Sequence, residues 1–476
     1  MTVSVALLRM SLALAATGLV GWSILRQIGG GLTRMERAAW SIALGLLAQS
    51  AIFVGLRFAG GKVGAGSILF ADALVVAASL AVRRPRPDRP ARAVNPGGSR
   101  AVAVLAAVAA VAWALFLVQA IAEPMWATDH LAIWGLKGKL AFLAPALKQR
   151  LFLDPALAWS HPEYPLLVPL SLAAFAGLVG AWNDQALALL WPACELATLL
   201  ALAGFLGRRV SRPAGAGAAA LTALCFPLYG ALNVGTAEVP LAFALVLVCC
   251  ALLDVLEVAS PERLARLAAA SLFCVSIKQE GSAFVLFAAA LLFVLLRRSP
   301  DRRAGVAVLL VPLAVHWGLL RFVTGPQTRR DFDFSLLFPD RWPELPARAA
   351  TVVVRLVGTE AVGAMIPLLA IAGYLLVTRR GIGESLWPVF TAQLCCYAAA
   401  FTLSAFGPNY AIDSAFRRLV LTLFPAFTLL LFARGSSVSR VIHRGRPPSV
   451  VSPNPEGISS RPSIADRPPR TGGATG

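Results

Sequence analysis

Apolar runs about as long as a bilayer is thick recur along this chain, and they limit its fold more than any motif does. The segment "AVAVLAAVAAVAWALFLVQAIA" at 101–122 carries no charge, and about 20 such residues in a helix cross a hydrocarbon core roughly 30 Å thick. Of 476 residues, 58% are hydrophobic and 14% charged, where a soluble domain carries roughly 25% charged residues. The mean hydropathy is +0.73. The expected fold class is an all-α polytopic membrane protein, with no stretch polar and long enough for a separate soluble domain.

A net charge of +19 invites a nucleic-acid reading, which the placement of the arginines argues against. They fall in short clusters between apolar runs: Arg83, Arg84, Arg86, Arg89 and Arg92; Arg208, Arg209 and Arg212; Arg297, Arg298, Arg302 and Arg303; Arg379 and Arg380. Such clusters mark cytoplasmic loops. The seven cysteines lie in apolar stretches without CxxC or Cys/His metal spacing, so neither a disulfide framework nor a zinc site is expected. The first run, 3–25, lacks a convincing cleavage site and reads as a retained helix.

With the clusters inside, parity places the N-terminus outside and gives about 13 transmembrane helices. Residues 1–82 form three N-terminal spans, 83–100 a basic cytoplasmic linker, and 101–433 the main membrane core with an outer loop at 123–164. The run 165–181 is short and holds Pro165 and Pro169, so it is expected to be a re-entrant or interfacial helix. Spans are expected at 184–207, 214–232, 241–257, 304–323, 361–378, 385–404 and 419–433. The runs 264–277 and 282–296 form a hairpin with "KQEG" at its outward tip. Residues 434–476, rich in Pro, Ser, Gly and Arg, read as a disordered basic cytoplasmic tail.

On this topology the ionisable residues that are not cluster arginines gather at the outer face, where charge near a bilayer is costly unless paired or functional. Asp129 suits either the N-cap of an interfacial helix or a general base. Lys137 and Lys139 either snorkel from that helix or offset charge on a phosphate. In "HPEYPLL" the prolines explain a rigid turn, whereas His161 and Glu163 have no evident structural duty. Lys278 and Glu280 interrupt apolar sequence, as a self-satisfied pair or as ligand contacts. Glu238 either caps the following helix or joins a site, and Arg417 and Arg418, on the outer side against the positive-inside trend, are either simple anchors or contacts for an anionic ligand. His316 deep in a span is read as satisfied by a neighbouring helix.

The order of "TDHLAIWGLKGK", "HPEYPLL", "TAEVPLA", "KQEG" and "DSAFRRLVLTLFP" resembles the GT-C superfamily of membrane glycosyltransferases, such as protein O-mannosyltransferases and lipid A aminoarabinose transferases. The resemblance covers about 101–433 and leaves the three N-terminal helices and the tail outside it. It implies transfer of a sugar from a polyprenyl-phosphate donor to a lipid, glycan or protein acceptor, at the outer face of the cell's inner (cytoplasmic) membrane. Asp129 and Glu163 are then the catalytic candidates, and His130, Lys137, His161, Glu238, Lys278, Glu280, Arg417 and Arg418 the substrate-binding ones. Many members carry two adjacent acids in the first loop, where this chain has Asp129 followed by His130. No cofactor is expected, and the leaning is towards no metal. The rival reading is a transporter or flippase of lipid-linked saccharide, which should carry ionisable residues at mid-span and internal repeats.

Overall fold

The computed structural model describes residues 1–60, 63–82, 99–144, 160–226, 228–296, 302–324, 331–357 and 386–433. Residues 83–98 of the linker expected at 83–100, the span at 361–378 and the tail from 434 lie outside the described residues. Within them the chain is all-helical, a multi-pass membrane protein, and the only extended pairing is one bridge between Phe332 and Ser404. Among the described residues, seven helices are long and apolar enough to cross a membrane.

Three helices open the chain: α1 (Val3–Ile28), α2 (Arg34–Phe58) and α3 (Ala65–Ala81). The first two cross with their backbones nearly touching, since a Cβ on Gly21 would lie 1.8 Å from the Ser41 carbonyl oxygen and one on Gly45 would lie 2.1 Å from that of Thr17. Small residues allow such approach inside a membrane. A capping box between Thr33 and Glu36 starts α2.

The core follows as α4 (Ser99–Ala122), α5 (Gly135–Leu143), α6 (Leu167–Val179), α7 (Leu190–Arg209), α8 (Arg212–Ala223), α9 (Glu238–Glu257), α10 (Pro261–Val275), α11 (Gln279–Leu295), α12 (Arg302–Thr324), α13 (Glu344–Val357), α14 (Trp387–Thr402) and α15 (Arg417–Phe432). Helix α9 is the axis, with Val239 to Val255 buried throughout. It packs on α7, α10 and α15. The short proline-bearing run becomes α6, a helix of 13 residues enclosed by protein, as irregular membrane segments need. The run expected to span 214–232 stops instead at Ala223, and Ala231–Asn233 forms a 3₁₀ turn beyond it. Pro227 in the sequence explains the stop, because a proline disfavours helix at the residue before it.

The expected hairpin is present, as α10 and α11 joined at Ser276–Lys278. The tip is tight: a Cβ on Gly281 would lie 2.3 Å from the Cys274 carbonyl oxygen. The N-terminal helices are built into the bundle. Helix α2 packs on α6 and α7, and Arg208 on α7 bonds Glu36 through Nε at 3.1 Å and Nη2 at 2.7 Å. Arg208, Arg209 and Arg266 also surround Asp254 near the end of α9. The bundle thus has an arginine end, holding this network, and an opposite end where α9 begins.

Candidate functional site

At the end where α9 begins, five charged side chains from four parts of the chain converge. Arg418 Nη1 donates to Asp129 Oδ2 at 2.5 Å and lies 3.4 Å from Glu238 Oε1. Lys278 Nζ lies 3.0 Å from the same Glu238 oxygen and 3.1 Å from Glu280 Oε1. Local structure aims each one. Glu238 stands in the first turn of α9, behind Gly235 whose φ of +96° only glycine adopts freely. Lys278 occupies the extended residue before α11.

Asp129 directly precedes one π turn, His130–Trp134, and Arg418 lies two residues past another, Ile412–Phe416, a local widening frequent at functional sites. Asp129 sits at the N-cap position with helical dihedrals and makes no capping bond. Its carboxylate is directed to Arg418 instead.

The five groups form two layers. Glu238 and Lys278 are buried, with side chains 1% and 9% exposed, while those of Asp129 and Arg418 are 23% and 31% exposed. A buried ion pair is weak support for stability, since desolvation offsets its attraction. Three carboxylates sharing two cations at one end of a membrane bundle therefore read as a site. Arg418 also donates through Nε and Nη2 to the Ser414 carbonyl at 3.3 and 3.2 Å, which fixes the guanidinium plane.

A second cluster adjoins the first. His161 Nδ1 lies 3.0 Å from Glu163 Oε1 and 3.1 Å from Asp331 Oδ2. Its backbone φ is 54°, the left-handed region that an L-residue enters at a cost. Its carbonyl accepts from Lys137 Nζ, and its ring stacks on Tyr164 at 4.5 Å, which in turn stacks on Trp134 at 5.6 Å. A bond from Leu167 N to the Ser276 carbonyl, 3.0 Å, ties this loop to the hairpin tip.

Burial lowers the Lys137 ammonium to about 7 against the pull of Glu163. Burial also disfavours charge on His161, but hydrogen bonds and charge from Asp331 and Glu163 prevail and raise it to about 9. The Tyr164 hydroxyl is pushed well up by burial and by the fields of Glu280, Asp331, Glu163 and Asp129, so the two clusters are electrostatically one region.

Eight of the ten sequence candidates fall in this region. His130 does not: its Nε2 lies 3.2 Å from Asp184 Oδ1, and its ring is buried against two glycines. A Cβ on Gly135 would lie 2.3 Å from the ring, and one on Gly235 would lie 2.6 Å from the His130 Cβ. Its ring is thus held by Asp184 and by packing, apart from the cluster. Arg417 makes none of the ion pairs of the cluster; with Arg418, Gln119, Tyr229, Asn233 and Leu421 it lines an adjacent cavity of about 390 Å³. Lys137, which snorkelling would put in the headgroups, is buried and turned inward.

Sequence reasoning missed Asp331 as a partner of His161, because they belong to distant loops. Asp331 is placed by backbone bonds from Asp333 N to Leu403 O at 2.8 Å and from Ala405 N to Asp331 O at 2.9 Å. Asp72 and Glu195 lie within helices, away from the cluster. Gln49 donates to Asp72, and among the described residues both Glu195 oxygens lack a hydrogen-bond partner.

Comparison with protein-family models, with curated proteins and with solved structures finds no match for this chain.

Proposed function

We propose that this protein is a membrane glycosyltransferase that moves a sugar from a polyprenyl-phosphate carrier to a lipid, glycan or protein acceptor at the outer face of the membrane. The observation that carries the proposal is the convergence of Asp129, Glu238, Lys278, Glu280 and Arg418 beside a cavity at one end of the bundle. In this reading the resting pair Asp129–Arg418 holds the base inactive. A donor phosphate competes for Arg418 with Lys278 behind it, and its arrival frees the Asp129 carboxylate.

The acceptor hydroxyl then attacks the anomeric carbon as its proton passes to Asp129. The bond from that carbon to the phosphate oxygen breaks, and polyprenyl phosphate leaves with both electrons. Arg418 and Lys278 offset the growing charge on it. Displacement of this kind inverts the anomeric centre. Glu163, adjoining the site through His161, supports the acceptor side.

Purified protein incubated with labelled polyprenyl-phosphate sugars and a mixed acceptor extract tests this. Wild type should release polyprenyl phosphate and label an acceptor, and Asp129→Asn should not. Equal transfer by both removes Asp129 as base. The rival transporter reading draws on Glu195, a carboxyl within a span that has no hydrogen-bond partner among the described residues. Movement of intact lipid-linked sugar across proteoliposomes without transfer would favour it.

A further inference from the structure

The resemblance to protein mannosyltransferases leans away from a metal, yet the fold brings His161, Glu163 and Asp331 together from two loops. We propose that His161, Glu163 and Asp331 bind one divalent first-row transition-metal ion. The ligand atoms of the three side chains lie within 4.8 Å of one another. Ligands around a common ion at about 2.1 Å are at most about 4.2 Å apart, so a small contraction completes the set.

The geometry at His161 is the main argument. One N–H makes one linear hydrogen bond, yet two carboxylate oxygens approach the same Nδ1 at 3.0 and 3.1 Å. A cation between the three atoms serves all of them at once. Glu163 Oε2, the second oxygen of its carboxylate, is buried and has no hydrogen-bond partner among the described residues, and it gives the ion a further contact.

The surroundings are built to hold this arrangement. Stacking on Tyr164 fixes the imidazole plane, and the paired backbone at Asp331 and Ala405 fixes the third ligand. Orientation of ligands by such partners raises metal affinity. One imidazole with two carboxylates suits Mn²⁺, Fe²⁺ or Zn²⁺, whereas Ca²⁺ and Mg²⁺ prefer oxygen alone. Three protein ligands leave positions for water or a phosphate oxygen. That last role rests on the transfer reading, but the binding site itself does not.

The test uses the full chain in detergent, stripped with chelator and titrated with Mn²⁺ alone, with free Mn²⁺ followed by its paramagnetic resonance spectrum and Zn²⁺ run as a competitor. Wild type should bind about one ion per chain, Zn²⁺ should displace it, and pulsed resonance should show coupling to an imidazole nitrogen. Asp331→Asn and Glu163→Gln should each weaken binding at least about ten-fold, the lower bound known for supporting groups. His161→Gln should abolish the nitrogen coupling, while Asp340→Asn leaves everything unchanged. Circular dichroism of each variant shows that its helices remain. Lack of binding by wild type overturns the site, as does equal binding by the folded Asp331 and Glu163 variants. Stoichiometric binding without sugar transfer sinks the transfer reading alone. Sugar transfer by a chain that binds no metal sinks this site alone.

Discussion

Arg418 touches Asp129 above and Glu238 below, so its removal and that of Asp129 should not be independent. Asp129→Asn is expected to lower kcat for sugar transfer by about 10²–10⁴, the range for a general base, with a smaller effect on KM. Arg418→Ala should lower it by a similar factor, and the double variant by much less than the product, as for groups acting as a unit. A double variant that multiplies the two losses would separate their roles. Deeper down, Lys278→Met leaves Glu238 buried with Arg418, 3.4 Å away, as its one remaining cation and should destabilise by about 3–5 kcal/mol. Adding Glu238→Gln should recover much of the lost melting temperature. Asp129 was legible in the sequence because a carboxylate beside an apolar run is unusual. His130 follows directly but lies apart from the cluster: neighbours on a helix point about 100° apart, and that turn sends the imidazole to Asp184. Asp331 was illegible as a partner of His161, since no local pattern announces a bridge to residue 404.

Among elements, the crossing of α1 and α2 and the hairpin of α10 and α11 depend on glycine contacts that admit no Cβ. Gly45→Leu should separate α1 from α2 and lower the melting temperature by several degrees, whereas Gly55→Ala, with nothing within 4 Å of the added atom, should leave it unchanged. Equal melting of the two variants would show that the crossing can give way. Gly135→Ala should act at the site without touching a charge, because the methyl meets the His130 ring next to Asp129. A fall in transfer with near-normal folding is the expected result. Hydrophobic pattern made the long helices and the hairpin legible. It overextended α8, since composition runs apolar through 232 while the helix ends at Ala223.

For the whole molecule, the arginine clusters gave the sequence an orientation that can be checked directly. A cysteine replacing Thr128, exposed near the site, should react with an impermeant thiol reagent from outside intact cells; one replacing Met35, exposed at the arginine end, should react only after permeabilisation. The reverse pattern would turn the protein over. Deleting 1–82 should not yield a minimal enzyme, because Arg208 would lose Glu36 in a buried network; recovery of a stable, active 101–433 fragment would show otherwise. That network has a mechanical consequence. Helix α9 is fastened at both ends, by Lys278 and Arg418 on Glu238 and by three arginines around Asp254. It works as a tie rod through the bundle. Rocking of one half against the other, as alternating access requires, would have to pull buried charges apart at both anchorages. A rod so held favours a stationary workplace reached by substrates sliding in from the lipid.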